Sequence, residues 1–379
     1  MKILLTGGGS GGHFYPIIAI ADEINNITKE NRLVRPEIFF MSNDPYNEGL
    51  LYENNITFVQ AMSGKVRVKP SFTSIILNFF DFFKIVFGSI GALWSVFSIY
   101  PDVVFGKGGF SSFPALLAAR ILRIPVVIHE SDSAPGRVNL WAGKFARKIA
   151  LSYPDAASYF PKDKVAYTGN PIRKEVMEAL SVGAHEYLKL DPSIPTILIL
   201  GGSQGAQIIN EVIMDALPRL VEQYQVIHQT GKNNIKVIQE TSAVILQANS
   251  HKDRYRPYDY LNILTQRMSA GACDIIVSRA GSTIFEIASW AKPSILIPIT
   301  NSNGDHQRKN AYSYARSGAA IVIEEKNLVA NVLVAEINRI MGNKDEIEKM
   351  KASAQAFAKR DAARLIAEEI VKIALEHEK

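Results

Sequence analysis

The sequence predicts an α/β protein of two Rossmann-like domains facing a cleft. Short apolar runs alternate with longer helical patterns from end to end, the mark of parallel α/β units. The two halves also repeat one device. Ile3-Leu4-Leu5 runs into Gly7–Gly12, and Ile197-Leu198-Ile199-Leu200 runs into Gly201-Gly202-Ser203-Gln204-Gly205, each a strand, a glycine turn and then a helix. Finally, 379 residues exceed what a single hydrophobic core sustains.

The expected strands of the first half are Lys2–Thr6, Glu37–Met41, Thr57–Ala61, Val103–Phe105, Val126–His129 and Lys148–Leu151. Those of the second are Thr196–Leu200, Tyr224–Gln229, Ile275–Ser278, Ser294–Pro298 and Ala320–Ile323. The first domain is expected over residues 1–168. A linker over 169–194 carries Gly169-Asn170-Pro171 and Asp191-Pro192-Ser193-Ile194-Pro195. The second domain is expected over 195–345. Residues 346–379, charged and rich in alanine, read as a C-terminal helix packing back on the first domain.

A composition of 47% hydrophobic and 21% charged residues lets each half bury a core. The single cysteine, Cys273, excludes a disulfide framework or a thiolate zinc site within one chain and fits a reducing cytosol. The apolar run after Met1-Lys2 is too short for a signal-peptide core. A net charge of +5 is too small to argue for nucleic acid, and no RNA- or DNA-binding signature accompanies it.

A strand that ends in glycines and opens a helix aims several unpaired N–H groups at one point, with the helix dipole behind them. Such turns occur at Gly7–Gly12, Gly106–Gly109, Gly201–Gly205 and Ser278–Thr283, and their recurrence points to an anionic or polyhydroxylated ligand. Gly7, Gly9 and Gly12 satisfy the dinucleotide pattern. The acidic residue that should close the second strand is missing, because that strand ends Met41-Ser42-Asn43 with Asp44 late. Thr283 and Glu286 form a capping-box spacing. The same spacing lets the helix start face a diphosphate while the Glu286 carboxylate accepts ribose hydroxyls.

Several further segments join these turns: His129-Glu130-Ser131-Asp132 with Pro135-Gly136, Gly169-Asn170-Pro171-Ile172-Arg173, and Asp305-His306-Gln307 with Asn310-Ala311. With Thr6–His13, Gly106–Phe110, Gly201–Gly205 and Ser278–Glu286 they follow one order over nearly the whole chain. In that order the sequence resembles the MurG family, undecaprenyldiphospho-muramoylpentapeptide β-N-acetylglucosaminyltransferases of GT-B fold. The resemblance implies transfer of N-acetylglucosamine from UDP-N-acetylglucosamine to lipid I, giving lipid II with inversion at the anomeric carbon. It also implies no cofactor and a role in peptidoglycan synthesis.

The resemblance further implies that the donor is held by Arg173, Ser203, Gln204, Gly281, Ser282, Thr283, Glu286 and Gln307. Ser10, Gly11 and Gly12 close over it from the first domain, and Gly108, Gly109 and Phe110 take the diphosphate and lipid side of the acceptor. The chain departs from the family at Asp132, where many members have asparagine, and at Phe110, where some have tyrosine. Its segment from Arg279 to Glu286 is shorter than usual. Tyr258–Gly271 fits poorly, so no uracil contact is assigned there. Rival readings are a UDP-sugar 2-epimerase or glycolipid synthase of the same fold, and a non-catalytic nucleotide-sugar-binding subunit that would not need His13 and Glu130.

An inverting transfer needs a base for the acceptor proton and stabilisation of the departing UDP. The sequence has no Asp-x-Asp triplet, so the expectation is a metal-free donor site in which helix N-termini and Arg173 take the leaving charge. The candidate bases are His13, directly after the first glycine loop, then Glu130 and Asp132. His129 reads as a buried supporting residue.

Between Ile75 and Tyr100 the only charges are Asp81 and Lys84. Ile76, Phe80, Phe83, Phe87, Ile90, Trp94 and Phe97 recur at helical spacing, as a face packed on a sheet would. The expectation is a core helix with an exposed patch of Phe79, Phe80, Phe82 and Phe83. Beside it, Lys65, Arg67 and Lys69 would dock on the anionic inner leaflet of the cell membrane, making a cytoplasmic, peripheral protein. Wholly buried and membrane-spanning versions of the helix are the alternatives.

Overall fold

The computed structural model describes residues 1–67, 72–202, 205–300 and 303–377, so Lys69, Ser203 and Gln204 lie outside the described residues. Two compact units result, Met1–Arg173 with Lys359–Lys379, and Lys174–Ala358.

In the first unit alternate residues of the opening strand leave in opposite directions. β1 (Lys2–Thr6) sends Ile3 and Leu5 into a core with the helices Gly11–Glu30 and Ala362–His377. Leu4 enters a second core with Ala92 and Val96 of the helix Phe72–Ile99 and with Ala115–Ala119 of the helix Phe113–Ile121. A strand covered on both faces has to be apolar at every position, which is why it reads as a continuous hydrophobic run. The other strands are β2 (Glu37–Ser42), β3 (Ile56–Gln60), β4 (Val103–Gly106), β5 (Val126–Glu130), β6 (Lys148–Leu151) and β7 (Val165–Tyr167). They pair in parallel in the order β3-β2-β1-β4-β5-β6-β7.

The second unit repeats the plan with β8 (Thr196–Leu200), β9 (Gln225–Gln229), β10 (Tyr255–Tyr258), β11 (Ile275–Ser278), β12 (Ser294–Leu296) and β13 (Ala320–Val322). Their order is β10-β9-β8-β11-β12-β13, again all parallel. Ile197 and Ile199 of β8 pack on the helices Gln207–Gln223 and Ala330–Met341. In each sheet the strand order reverses beside the opening strand, between β1 and β4 and between β8 and β11. Ligands of open α/β sheets bind at such points, outside the carboxyl ends of the strands.

The two-sheet α/β class expected from the sequence is the one observed, with several differences in detail. The strands β7 and β10 were not expected. Both are short edge strands, and β10 carries Pro257, which an outer strand tolerates. The tail is two helices and not one: Lys344–Phe357 belongs to the second unit, and only Ala362–His377 lies on Gly11–Glu30. Arg364 fastens it there, donating to both carboxylate oxygens of Glu30 at 3.0 and 2.7 Å. The stretch expected as linker divides at Arg173, and its remainder folds with the second unit.

The apolar helix is turned the other way from the expectation. Ile76, Phe80, Phe83, Phe87, Ile90, Trp94 and Phe97 are all exposed, and the buried face is Asp81, Gly88, Ala92 and Val96. Small residues let the helix lie close on the preceding segment: a methyl group at Gly88 would meet the Met62 carbonyl oxygen at 1.8 Å. By length and composition this helix could cross a membrane.

Candidate active site

In the first unit the turns after β1 and β4 lie side by side. Gly108 has a φ of +91°, and a Cβ there would stand 2.7 Å from the Asn139 amide nitrogen, so only glycine serves. Ser10 is the cap position of the helix Gly11–Glu30 but makes no side-chain cap; its hydroxyl lies 3.0 Å from His13 Nδ1 instead. His13 is half-buried, and a Cβ on Gly109 would meet its Cε1 at 3.5 Å. Phe110 lies against Gly9. Desolvation, reinforced by the Lys107 ammonium and opposed by Asp132, pushes the His13 ring down to about 4.

Below the loops is a buried polar cluster. Lys107 is 1% exposed, and its Nζ donates to His129 Nδ1 at 2.8 Å and Asn170 Oδ1 at 3.2 Å. With Nδ1 accepting, the His129 proton sits on Nε2, 3.0 Å from the Gly169 carbonyl and 3.1 Å from Ser152 Oγ. Burial, with Lys107 beside it, holds His129 well below the usual imidazole range, so it is a neutral supporting group as expected. Glu130 accepts from Asp132 N at 2.9 Å, Gly136 N at 3.0 Å and Asn139 Nδ2 at 2.9 Å. Burial and the Asp132 charge push its carboxyl up, while burial pushes the Lys107 ammonium down. Asp132 is half-buried. Arg173 belongs to this unit, its guanidinium 4.3 Å from the Tyr15 ring centroid.

The second unit has its own pair of turns, after β8 and β11. Gly205 has a φ of +77° and lies so close to Thr230 that a Cβ would reach its carbonyl oxygen at 2.1 Å. Gln229 Nε2 donates to Gly202 O at 3.1 Å. The helix Thr283–Ser289 is capped by Ser282 without a side-chain hydrogen bond, so Thr283 does not make the capping box its spacing suggested. Glu286 accepts instead from Gln266 Nε2 at 2.7 Å. Gly281 has open space around it. Gln307 Oε1 accepts from Ile299 N at 3.2 Å, just past β12. Arg279 pairs with Glu325 at 2.7 Å and donates to Ile297 O.

Sequence reasoning missed Gln266, in the stretch left unassigned; its helix has a clear signal in Asn262, whose side chain caps it. It also missed Lys107 as a buried group. The second unit hides His228, fully buried, with Nδ1 2.8 Å from Tyr255 OH and Nε2 3.0 Å from Asn210 Oδ1. Among the described residues no group of three or more His, Cys, Asp or Glu side chains is placed to hold a metal ion.

Comparison with known proteins gives the site a family. Residues 3–151 match the glycosyltransferase family 28 N-terminal domain, and 196–366 its C-terminal domain. A relative in Bacillus thuringiensis strain Al Hakam is 35% identical, with 91% of this chain and 92% of that protein covered. It is named a UDP-N-acetylglucosamine–N-acetylmuramyl-(pentapeptide) pyrophosphoryl-undecaprenol N-acetylglucosamine transferase. One of the same name in Lachnoclostridium phytofermentans is 36% identical, over 93% of this chain and 95% of that protein. Acinetobacter baumannii MurG matches in structure with a TM-score of 0.72 at 23% identity, covering 98% of this chain and 99% of that one. A UDP-GlcNAc 2-epimerase from Neisseria meningitidis, bound to UDP-GlcNAc, matches at 0.66 and 16% identity, covering 98% and 100%. At these identities the structures speak for the fold alone, the GT-B class.

Proposed function

The chain belongs to glycosyltransferase family 28, in its MurG branch, and on that footing we propose that it transfers N-acetylglucosamine from UDP-N-acetylglucosamine to the lipid-linked muramoyl-pentapeptide diphosphate, forming lipid II with inversion. The observation that carries the reading is the Ser10–His13 pair above the glycine turns at the strand-order reversal of the first sheet. With Nδ1–H donating to Ser10 Oγ, the lone pair of His13 is on Nε2. That nitrogen takes the proton of the acceptor hydroxyl as its oxygen attacks the anomeric carbon. The bond from that carbon to the diphosphate oxygen breaks, and UDP leaves. Glu130, holding three N–H donors, shapes the turn from Asp132 to Asn139 and leaves the base role to His13, with Asp132 orienting it or the acceptor.

The second unit takes the donor. Glu286, oriented by Gln266, accepts the ribose hydroxyls; Gly281, Ser282 and Thr283 offer main-chain N–H groups to the diphosphate; Gln307 contacts the sugar nucleotide. Ser203 and Gln204 belong to the same donor set. Gly108, Gly109 and Phe110 take the acceptor diphosphate, and Arg173 helps neutralise the leaving group.

The exposed face of the helix Phe72–Ile99 brings the first unit to an anionic leaflet on its cytoplasmic side. Phe79, Phe80 and Phe82 are 61%, 59% and 60% exposed, ample apolar area for the interface. Of the basic residues beside them, Lys65 is exposed, whereas Arg67 donates to Asp81 at 2.5 Å and adds less to the attraction.

The test is incubation with a panel of UDP-sugars, with and without a polyprenyl-diphospho-muramoyl acceptor. Transfer only from UDP-N-acetylglucosamine and only with acceptor is expected. Acceptor-independent conversion to a 2-epimeric UDP-sugar would instead establish the epimerase reading, which the structural likeness alone leaves open.

A further inference from the structure

A buried lysine normally faces a carboxylate, because an ammonium removed from water costs several kcal/mol unless it is well paired. Lys107 has the burial, with Glu130 and Asp132 nearby, but its hydrogen bonds go to neutral acceptors, His129 Nδ1 and Asn170 Oδ1. The adjacent Glu130 has both oxygens engaged by Asp132 N, Gly136 N and Asn139 Nδ2. Lys107 also lies directly beneath the first glycine turn, where a Cβ on Gly7 would stand 2.9 Å from Lys107 Cβ. On the other side of the same turns His13 lies against Gly109. Lys107 and His13 thus pack on the same pair of glycine turns, where a buried charge is little screened by water.

We propose that Lys107 is a positioning residue for the transfer: a buried ammonium, clamped by His129 and Asn170 beneath the glycine turns, that disfavours a proton on His13 and leaves it able to accept the acceptor's proton. Burial pushes that ammonium down to about 7, so it is charged on the acid side of neutrality. The proposal rests on His13 being the base. The groups that face His13 electrostatically are Lys107, Asp132 and the neutral His129; those that face Lys107 are Glu130 and Asp132. Desolvation and Lys107 push His13 the same way, and Asp132 opposes them, so the cation supplies part of the displacement. Its contribution is a wider working range on the acid side. The base stays free of its own proton well below neutrality, where an ordinary imidazole would be protonated.

The experiment compares the wild type with Lys107→Met, a neutral chain of similar length, and with Asn170→Asp, which puts a carboxylate beside the ammonium without removing it. Two quantities are read on the full chain: the His13 titration by NMR with 15N-histidine, and the acid limb of kcat for transfer to a soluble acceptor analogue. In both variants both should move upward together, by about one pH unit. At pH 4 kcat then falls about fivefold, while at pH 8 it changes little and the KM for the UDP-sugar holds. If His13 titrates as in the wild type in folded variants, the proposal is overturned, whatever happens to the rate. If its titration moves while the acid limb stays, Lys107 acts on His13 as proposed, and it is the assignment of His13 as base that falls. Should Lys107→Met fail to fold, Asn170→Asp alone decides by the same two readings.

Discussion

The two pairs of glycine turns are built alike, and what lies beneath them differs. Under the first unit's turns are an ammonium, a carboxylate and an imidazole, all buried: Lys107, Glu130 and His129. Under the second unit's are His228, Tyr255, Asn210 and Thr230, a network of neutral groups closed on itself. Burial pushes His228 down to about 3, so it too is uncharged. In the function proposed above one backbone device serves two purposes: over a neutral network it is a cradle that binds, and over a charged cluster a place where a proton can move. The pattern of glycines alone does not separate the two.

The sharpest way to break this comparison is at His13. His13→Gln should lower kcat by about 100-fold or more and leave the affinity for UDP near normal, as loss of a general base does. The pH profile is the independent check. A base must be unprotonated, so the rate falls as pH drops through its pKa. With His13 at about 4, the wild-type rate should stay flat from neutrality down to pH 5. A limb near neutrality would transfer the role to Glu130, whose carboxyl is pushed up to about 7.

A smaller effect is expected in the second unit, and on binding only. Glu286→Ala should weaken UDP-N-acetylglucosamine binding by about 2–3 kcal/mol, the worth of charge-assisted hydrogen bonds to the ribose. Gln266→Ala, which removes only the group orienting that carboxylate, should cost about 1 kcal/mol. Titration calorimetry reads both. Because Thr283 makes no capping box, melting temperatures should barely move; unchanged affinity with a lowered melting temperature would make Glu286 a structural residue of its helix.

Most of the fold was legible because strands buried on both faces are continuous apolar runs, and those runs end in glycine where the backbone must turn. The edge strands were not legible: Val165–Tyr167 is too short to show a pattern, and Tyr255–Tyr258 contains a proline. The helix Phe72–Ile99 shows why periodicity gives a face but not its direction. Aromatic residues at helical spacing ordinarily mark the buried side, yet here the buried stripe is the small one, Gly88, Ala92 and Val96. At the site, His13 and the glycines stood out by their spacing. Lys107 did not, because nothing in the pattern of Gly106–Gly109 marks its side chain as buried; the packing of Gly7, His129 and Asn170 around it comes only with the fold. Gln266 and Glu286 meet only through the fold, and nothing in their spacing announces it.

The orientation of that helix makes the membrane a test of the first unit alone. Replacing Phe79, Phe80, Phe82 and Phe83 by serine should release the protein from anionic vesicles, while turnover of a short-chain soluble acceptor persists. The rings being largely exposed, the variant should melt near the wild type. High salt should loosen the wild type only in part, since the aromatic contribution is not screened. An unfolded or aggregated variant would mean that those rings support the core.

The smallest expected effect is none at all, and it concerns the leaving group. Transfer should persist in excess chelator. The charge that develops on UDP has to be met by something, and many sugar transferases meet it with a divalent ion held by two aspartates one residue apart. This chain has no such triplet. What it has at the ends of β8 and β11 is main-chain N–H groups at the starts of the helices Gln207–Gln223 and Thr283–Ser289, with open space over Gly281. Helix starts stabilise an anion without a metal. In the function proposed above Arg173, whose guanidinium lies 4.3 Å from the Tyr15 ring centroid, adds a full positive charge. If chelator abolishes transfer and magnesium or manganese restores it, the donor cradle is incomplete without an ion, and the neutral second site would then need a charge of its own. If transfer persists, Arg173→Ala should lower kcat more than it weakens donor binding, because the charge it answers is largest as the bond to the sugar breaks.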